Sequence, residues 1–213
     1  MKSLIFSTYL LLVAGTSQAQ VKNLHNFTNL EFPYGSLIKS GSVLYGMTYR
    51  GGVNSDGCVF SIKTNGNGFT DLLDFDVANG QYTNGSLLLL GNRLYGLTYR
   101  GGANGEGVLF SININGSGYK DIYDFISVTG GFPRSSLTLA GNKFYGTTNS
   151  GGANGDGVVF SIDTNGNAYS DKHDFDGTDG SEPYYGALSL SGKTLFGMTF
   201  IGGGQMVMVL FSL

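Results

Sequence analysis

The sequence has no tryptophan, three prolines and one cysteine, and only 13% of its residues are charged. The single cysteine, Cys58, excludes an internal disulfide, so the fold has to be stable without covalent links. The equivalent positions of the repeats described below are apolar, and Cys58 is therefore expected to be a small buried hydrophobic residue. The net charge of −3 offers neither the basic field that nucleic-acid binding requires nor a polybasic patch for a membrane surface.

Helical patterning is also missing, because no segment repeats its apolar residues at the 3.6-residue spacing of an amphipathic helix. Glycine is abundant instead, with 36 of 213 residues, together with 15 phenylalanines and 13 tyrosines. This composition favours a β protein with many tight turns, and the length fits a single domain.

The N-terminus has the pattern of a secretory signal peptide. Lys2 is followed by the apolar run Leu4–Ala14 and the small-residue sequence Ser17–Ala19. This pattern predicts a signal peptide over residues 1–19 and one domain over residues 20–213. An uncleaved anchor is the alternative, although the apolar run is short for a span of about 20 residues. We therefore expect an exported protein, periplasmic or extracellular, without a transmembrane segment after cleavage.

The remaining chain is a tandem repeat. A double glycine recurs at intervals of 50, 50 and 51 residues, beginning at Gly51, Gly101, Gly151 and Gly202. A glycine also recurs inside an apolar segment of each repeat, at Gly46, Gly96, Gly146 and Gly197. Glycine weakens a strand interior, so its recurrence there predicts close approach by another backbone or an aromatic ring.

Each repeat contains four segments with strand character. In the second repeat these are Ser86–Leu90, Arg93–Arg100, Val108–Asn113 and Tyr119–Phe125, which we call strands A, B, C and D. The Asn-Gly pair that separates strands C and D is the preferred sequence of a two-residue hairpin turn. Four antiparallel strands in a repeat of this length predict one blade of a β-propeller.

The two ends of the chain complement each other. Asn23–Phe27 resembles a strand D without its A, B and C strands, and Val209–Leu213 reads as a strand C without a following D. Pairing them predicts a closed four-bladed propeller with blades at about residues 35–75, 85–125, 135–175 and 186–213, the last completed by residues 23–27. A monomer is expected, and the alternatives are an open arc or a strand-swapped dimer with eight blades.

The repeat unit resembles a known family. Its residues Leu94–Gly96, Thr98, Gly101–Gly102, Gly107 and Phe110 recur one period away, in a pattern similar to the GloVer (Gloeobacter/Verrucomicrobium-type) tandem repeat. The resemblance covers about residues 35 to 213. It implies an exported, β-propeller-like bacterial protein, and it carries over no catalytic residue, metal or cofactor. Many such proteins also carry a C-terminal anchoring module, which is not recognisable in this sequence.

The candidate site lies in the loops. In a blade of this topology the B–C loops and the D–A connectors share one face of the ring, and such loops commonly carry binding residues. The alternative interpretation is that "GGANGEG" is a rigid turn whose acid caps backbone N–H groups. The candidate ligand-binding residues are Tyr34, Arg50, Asn54, Asp56, Tyr82, Arg100, Asn104, Glu106, Arg134, Asn154, Asp156 and Tyr184.

These residue types favour a non-catalytic binding protein for a glycan or a peptide. No catalytic or phosphate-binding motif is recognisable. Asp163–Asp174 resembles a calcium loop, but its glycine stands at position four and its last residue is not glutamate, so a hairpin turn is expected. His25 and His173 fall on strand D of different blades, and no metal site is expected. The alternatives are a glycan hydrolase or lyase using loop carboxylates at the channel mouth, and a structural cell-surface module.

Overall fold

The structure is a computed structural model that describes residues 21, 23–27, 30–184, 186–202 and 208–212, with residues 30, 31 and 208–212 described by their backbone. The predicted signal peptide, Tyr185, the fourth glycine-rich loop at 203–207 and Leu213 lie outside these residues. Within them the fold is all-β and every sheet is antiparallel, as the sequence predicts. The described part of the chain forms no helix long and apolar enough to cross a membrane.

Eighteen strands are present in the described residues, and most are short. In chain order they are β1 (Leu30–Glu31), β2 (Ile38–Ser40), β3 (Val43–Thr48), β4 (Arg50–Gly51), β5 (Cys58–Lys63), β6 (Thr70–Asp74), β7 (Leu88–Leu90), β8 (Arg93–Leu97), β9 (Val108–Asn113), β10 (Lys120–Asp124), β11 (Gly131–Pro133), β12 (Thr138–Ala140), β13 (Lys143–Ser150), β14 (Val158–Asp163), β15 (Ser170–Asp174), β16 (Ser189–Ser191), β17 (Thr194–Met198) and β18 (Met208–Ser212).

Apart from β1 and β4, which pair with each other, these strands form one sheet per repeat. The first sheet has the order β2-β3-β5-β6, the second β7-β8-β9-β10, and the third β12-β13-β14-β15 with β11 added to the end of β13. The fourth sheet contains three strands in the order β16-β17-β18. The predicted A, B, C and D strands are therefore confirmed in three repeats, and A, B and C in the fourth.

The mid-strand glycines accommodate aromatic rings. Gly96 lies opposite Phe110, and a Cβ on this glycine would be 2.7 Å from the Phe110 ring. The first and third sheets repeat the pairing with Phe60 and Phe160, which confirms the close approach that the sequence predicts. The fourth sheet departs from it, because Gly197 lies opposite Val209. Its B–C register thus differs by two residues, a shift that leaves each residue on the same face of the sheet.

The hydrophobic core lies between successive sheets. Phe75 of the first repeat makes an edge-to-face contact with Phe110 of the second at 5.1 Å, and Phe125 meets Phe160 of the third in the same way at 5.2 Å. All four rings are fully buried or nearly so. Burying a phenylalanine contributes roughly 1.5–3 kcal/mol, so these rings stabilise the stacking of sheets as well as each sheet.

Cys58 lies inside this core, as predicted. It is fully buried, and its Sγ lies 3.5 Å from the Thr48 hydroxyl. Burial raises the pKa of the thiol to about 12, with a smaller opposing effect from the Thr48 hydrogen bond. The thiolate is the reactive form of cysteine, so Cys58 is expected to be inert at neutral pH.

The innermost segments of neighbouring sheets are joined by hydrogen bonds between repeats. The Ser36 amide donates to the Ser86 hydroxyl, and the Ser86 amide donates to the Ser136 hydroxyl, both at 2.8 Å. Ser136 and Ala187 form a parallel bridge in the next step. The first three sheets therefore follow one another with the same spacing.

The outer strands carry paired aspartates that give the fold a pH dependence. Burial, followed by the charge of Asp124, raises the pKa of Asp121 to about 6, and Asp71 and Asp171 are shifted in the same direction. A carboxyl group with a raised pKa binds its proton more tightly in the folded than in the unfolded state, where the value is about 3.9. Stability is thus expected to fall as pH rises from about 4 to about 6.

We expect Asp121→Asn to weaken this pH dependence and to stabilise the protein at pH 7. Asparagine removes the like charge beside Asp124 and keeps a hydrogen-bond donor there. Thermal unfolding at pH 4 and pH 7 measures the effect. A variant whose transition temperature follows that of the unsubstituted protein at both pH values would contradict it.

The two chain ends do not form the predicted pair in the described residues. Asn23–Phe27 is assigned to no strand, and β18 pairs with β17. The row of sheets is also open at its first member, because Leu37 is 53% exposed whereas its equivalents Leu87 and Leu137 are 5% and 6% exposed. The sheets are therefore not closed into a ring in this structure.

Candidate ligand-binding face

The D–A connectors have an unusual backbone conformation. Phe32, Tyr82, Phe132 and Glu182 occupy equivalent positions, and their φ angles are 57°, 61°, 57° and 49°. Bulky side chains rarely adopt this left-handed conformation, which costs about 1–3 kcal/mol at each position. Such strain concentrates at functional sites, so the connectors mark a candidate site.

The connectors are held between two sheets by backbone hydrogen bonds. The Tyr82 amide donates to the Asp56 carbonyl of the first repeat at 2.9 Å, and the Tyr82 carbonyl accepts from the Tyr99 amide of the second at 3.0 Å. Phe132 repeats the first bond with Glu106 at 2.7 Å. Each connector thus joins the B–C loop of one repeat to the end of strand B in the next.

Aromatic rings and arginines alternate along these connectors. Tyr82 stacks on Tyr49 at 5.0 Å, and the Arg50 guanidinium lies 5.9 Å from the centre of the Tyr82 ring. One repeat further on, Arg100 lies 5.4 Å from the Tyr99 ring and 5.9 Å from the Phe132 ring. Both arginines are exposed, and no described carboxylate forms an ion pair with either. Both guanidiniums thus reach the surface beside aromatic rings.

Arg134 lies between two aromatic rings. Its guanidinium is 3.9 Å from the centre of the Tyr99 ring and 4.3 Å from that of Tyr184, and it donates a hydrogen bond to the Tyr184 hydroxyl. Burial opposes ionisation of Tyr99, but hydrogen bonds and charges from Arg134 and Arg100 outweigh it and lower the pKa of Tyr99. The arginines thus act directly on the tyrosine hydroxyls of this surface.

These groups form two clusters, one around Tyr82 and one around Arg134, which are joined by the hydrogen bond from the Tyr99 amide to the Tyr82 carbonyl, and we call the two together the aromatic–arginine face. Its two ends are the most open, since Phe32 is 50% exposed at one end and Phe200 is 70% exposed at the other. It includes six of the predicted residues, Tyr34, Arg50, Tyr82, Arg100, Arg134 and Tyr184. The residues of the face are Phe32, Tyr34, Tyr49, Arg50, Tyr82, Tyr99, Arg100, Phe132, Arg134, Tyr184 and Phe200.

The loop asparagines have a structural contact. The side-chain amide of Asn54 donates to the Phe75 carbonyl at 2.9 Å. Asn104 and Asn154 make the same bond to the Phe125 and Phe175 carbonyls, at 3.1 and 2.9 Å. These three predicted residues hold each B–C loop against the end of strand D, so their side-chain amides bind the protein's own backbone.

Aspartates that the prediction missed complete this fastening. Asp124 accepts a hydrogen bond from the Ala103 amide at 2.5 Å, and its carboxylate lies directly against Gly102. Asp74 and Asp174 hold the loops of the first and third repeats through the same bond. The signal was present in the sequence, because an aspartate recurs at this position in all three repeats.

The loop acids of three repeats contact the D–A connectors. Asp56, Glu106 and Asp156 belong to loops of three different sheets, and the backbone carbonyl of each accepts a connector amide. The Glu106 Oε2 atom is buried and has no hydrogen-bond partner in the described residues. The predicted acids thus contact the connectors through their backbone, and the Glu106 side chain also lies beside Gly131.

The two histidines contact an aromatic ring or a carboxylate, and the calcium-like segment forms a turn. His25 stacks on Phe69 at 4.6 Å, and His173 lies 2.6 Å from Asp179. Asp163 accepts the amides of Asn165 and Asn167 at 2.9 and 2.8 Å, as a hairpin turn requires. No group of three metal-binding side chains is present in the part of the chain that the structure describes.

Prediction also missed the aromatic residues at the end of strand B. Tyr49, Tyr99 and Phe200 stand two positions before the double glycine of their repeats. Rings at these positions can be interpreted as part of the core, because neighbouring strand B residues are buried. Their alignment directly before Arg50 and Arg100 is the signal that could have identified two of them.

A family model decides the relationship of the chain. The model described as the Gloeobacter/Verrucomicrobia repeat matches residues 8–211, which is nearly the whole sequence. The chain belongs to this repeat family. The GloVer resemblance that the sequence motifs carry is thereby confirmed, while no curated protein matches the chain.

Solved structures similar to this Gloeobacter/Verrucomicrobia repeat chain are propeller-like. TolB from Acinetobacter baumannii has a TM-score of 0.53 at 12% identity, with 80% of this chain and 38% of that chain covered. The GH74 enzyme of Niastella koreensis has a TM-score of 0.51 at 17% identity, covering 79% and 28%. A nidogen/laminin complex gives 0.51 at 11% identity, covering 75% and 52%. The repeat chain spans about half or less of these proteins, and the likeness concerns the fold alone.

Proposed function

We propose that this protein is an exported, non-catalytic binding module that takes an extended carbohydrate on the aromatic–arginine face. The observation that carries the proposal is the strained connector with its stacked rings. Phe32, Tyr82 and Phe132 are held in the left-handed conformation although glycine would adopt it without cost. A ligand that needs the ring at each position explains why glycine does not stand there.

The chemistry of the face suits a sugar chain. A pyranose presents apolar C–H groups on its two faces, which pack on aromatic rings, and hydroxyl groups around its edge, which accept from guanidiniums. Tyr82 with Arg50, and Phe132 with Arg100, place a ring beside an exposed guanidinium in successive repeats. The repetition supports a polymer whose successive residues meet successive repeats, and a peptide is the other ligand class with this combination of apolar and polar groups.

Export is part of the proposal. Family membership and the N-terminal pattern of charge, apolar run and small residues both support it. The periplasm and the cell exterior are both compartments where a polysaccharide ligand would be met. Secretion of the full-length chain, followed by N-terminal sequencing of the mature form, tests export, and an N-terminus at Gln20 is expected.

The ring of Tyr82 provides the sharpest test of binding. Tyr82→Gly removes the ring and also relieves the positive φ, so the protein should remain at least as stable as before. We expect binding to a carbohydrate identified on a glycan array to weaken about tenfold, as loss of one stacked ring costs roughly 1.4 kcal/mol. Isothermal titration calorimetry measures the change.

A matched control is Ala168→Gly. Ala168 has a φ of 52° in a C–D turn, on the opposite side of the sheets from the connectors. Its replacement relieves the same kind of strain without touching the aromatic–arginine face, and it should leave affinity unchanged. Equal affinity of Tyr82→Gly and Ala168→Gly would refute binding at this face.

A further inference from the structure

Both ends of the row of sheets expose residues that are buried at the internal junctions. Met198 of the fourth sheet is 57% exposed, whereas its equivalents Met47 and Leu97 are 4% and 2% exposed. At the other end Leu37 of the first sheet is 53% exposed, whereas Leu188 of the fourth is 5% exposed. Each terminal sheet thus has an apolar face without the neighbour that covers the same face elsewhere.

The internal junctions show what covers such a face. Met47 of the first sheet reaches the second sheet, where its Sδ lies 3.2 Å from the position of a Cβ on Gly96. The glycine leaves room for the methionine beside the ring of Phe110. Met198 is the equivalent of Met47, and Gly46 is the equivalent of Gly96 on the first sheet.

A cavity marks the uncovered position on the first sheet. It has a volume of about 440 Å³ and is lined by Leu37, Leu44, Gly46 and Phe60, with Phe27 at its side. A methionine side chain fits an irregular apolar space of this kind because it is unbranched and flexible. The internal junctions therefore predict a methionine from a preceding sheet in this cavity.

The N-terminal segment already lies where the outer strand of a preceding sheet would lie. Phe27 meets Phe60 edge to face at 5.2 Å, the same distance as the contact of Phe125 with Phe160. His25 stacks on Phe69 at 4.6 Å and 4°. Tyr123 and Tyr169 repeat this stacking between the second and third repeats, at 4.4 Å and 3°. Residues 23–27 thus pack on the first sheet as the strand D of a preceding sheet would, without the A, B and C strands of such a sheet beside them.

The fourth sheet has the complementary set of strands. It consists of β16, β17 and β18, and in the described residues β18 has a partner on one side only. An exposed strand edge readily pairs with a strand from another chain. A fourth sheet from another molecule, placed before the first sheet, would bring β18 beside Asn23–Phe27.

We propose that two copies of this chain dock end to end, with Met198 of each copy in the Gly46 cavity of the other and Asn23–Phe27 of each added to the partner's β18. The inference goes beyond the proposed binding function and does not depend on it. Two-fold symmetry satisfies both open ends at once, because each end of one copy meets the opposite end of the other. The resulting eight sheets lie within the range of known propellers.

A second copy fits better than the same chain's own fourth sheet. The first two junctions have nearly the same ring contacts, at 5.1 and 5.2 Å, and the same 2.8 Å serine hydrogen bonds, so these two junctions fix the same relation between sheets. The row built from these junctions leaves Leu37 exposed. Closing it on itself would require at least one packed junction to change, and packed cores resist such deformation.

Light scattering coupled to size-exclusion chromatography tests the proposal on the mature chain. We expect the mass of a dimer. Met198→Glu should weaken dimerisation by about a hundredfold or more, because a carboxylate would be buried among the mostly apolar side chains that line the Gly46 cavity. Val128→Glu is the matched control, since Val128 is 77% exposed in the connector between the second and third sheets, away from both ends, and this variant should remain a dimer.

Two results would overturn the proposal. One is a monomeric mass of the unsubstituted chain at about 100 µM, a concentration far above the dissociation constant of a stable dimer. The other is a dimer of unchanged affinity in Met198→Glu, which would place the contact elsewhere. Circular dichroism spectra that match the unsubstituted chain show that Met198→Glu remains folded, as expected for an exposed position. Loss of carbohydrate binding would leave both readouts unchanged.

Discussion

Gly85→Ala is expected to lower the free energy of unfolding by about 3 kcal/mol. A Cβ on Gly85 would collide with the backbone carbonyl of Ser135, whose carbon would lie 2.9 Å away. The carbonyl cannot rotate aside as a side chain does, because it belongs to the segment that carries the hydrogen bond from Ser86 to Ser136. The second and third sheets would therefore have to separate along their innermost segments.

Urea denaturation measures this loss, and a drop of roughly 10 °C in the thermal midpoint should accompany it. Gly186→Ala is the control, because Gly186 lies in a later D–A connector and a Cβ there would be 3.8 Å from its nearest neighbour, the Tyr184 carbonyl oxygen. The control should unfold like the unsubstituted protein. Similar stability of the two variants would show that the inner segments of neighbouring sheets do not determine their spacing.

The repeat organisation could be predicted from the sequence because it depends on local patterns. The interval between Gly51 and Gly101 gives the period, and the Asn-Gly turn at Asn115 separates two strands whose pairing the structure confirms. Hairpins join residues that are near each other in the chain, so turn residues and apolar runs are enough to identify them.

Relations between sheets were less predictable because they depend on contacts about 50 residues apart. The sequence predicts that Asn23–Phe27 pairs with the final strand of the same chain. The structure shows Phe27 packed on Phe60 as a strand D of a preceding sheet would be, but Asn23–Phe27 forms no strand pair in the described residues and the row of sheets stays open. Complementary ends specify that a strand is shared, but not which molecule shares it.

Only part of the candidate site could be predicted, because the sequence does not show how a loop folds against its neighbours. Arg50 and Tyr82 are recognisable because they interrupt a glycine-rich or polar loop. Asn54 occurs in the same loop, yet its bond to the Phe75 carbonyl depends on how the loop folds back on strand D. A polar residue in a loop has the same appearance in sequence whether it faces a ligand or its own backbone.

Asp124→Ala is expected to cost about 2 kcal/mol and to free the B–C loop of the second repeat. The Asp124 carboxylate accepts the Ala103 amide at 2.5 Å, and a hydrogen bond to a charged group contributes more than a neutral one. Removing it leaves the amide without its acceptor and opens a space beside Gly102. Hydrogen exchange of the Ala103 amide should accelerate along with the loss of stability.

The neighbouring Asp121 separates this effect from a general loss of negative charge on β10. Asp121→Asn also removes one charge from the strand, but it should not accelerate exchange at Ala103, because it leaves the Asp124 carboxylate in place as the acceptor of that amide. Asp124→Asn should lie between the two, since its amide oxygen still accepts but carries no charge. The same loop carries Arg100, so carbohydrate affinity should fall in the order Asp121→Asn, Asp124→Asn, Asp124→Ala. If the three variants exchange alike at Ala103, the loop is held by Asn104 and the turn itself, and the recurrent aspartate has another role.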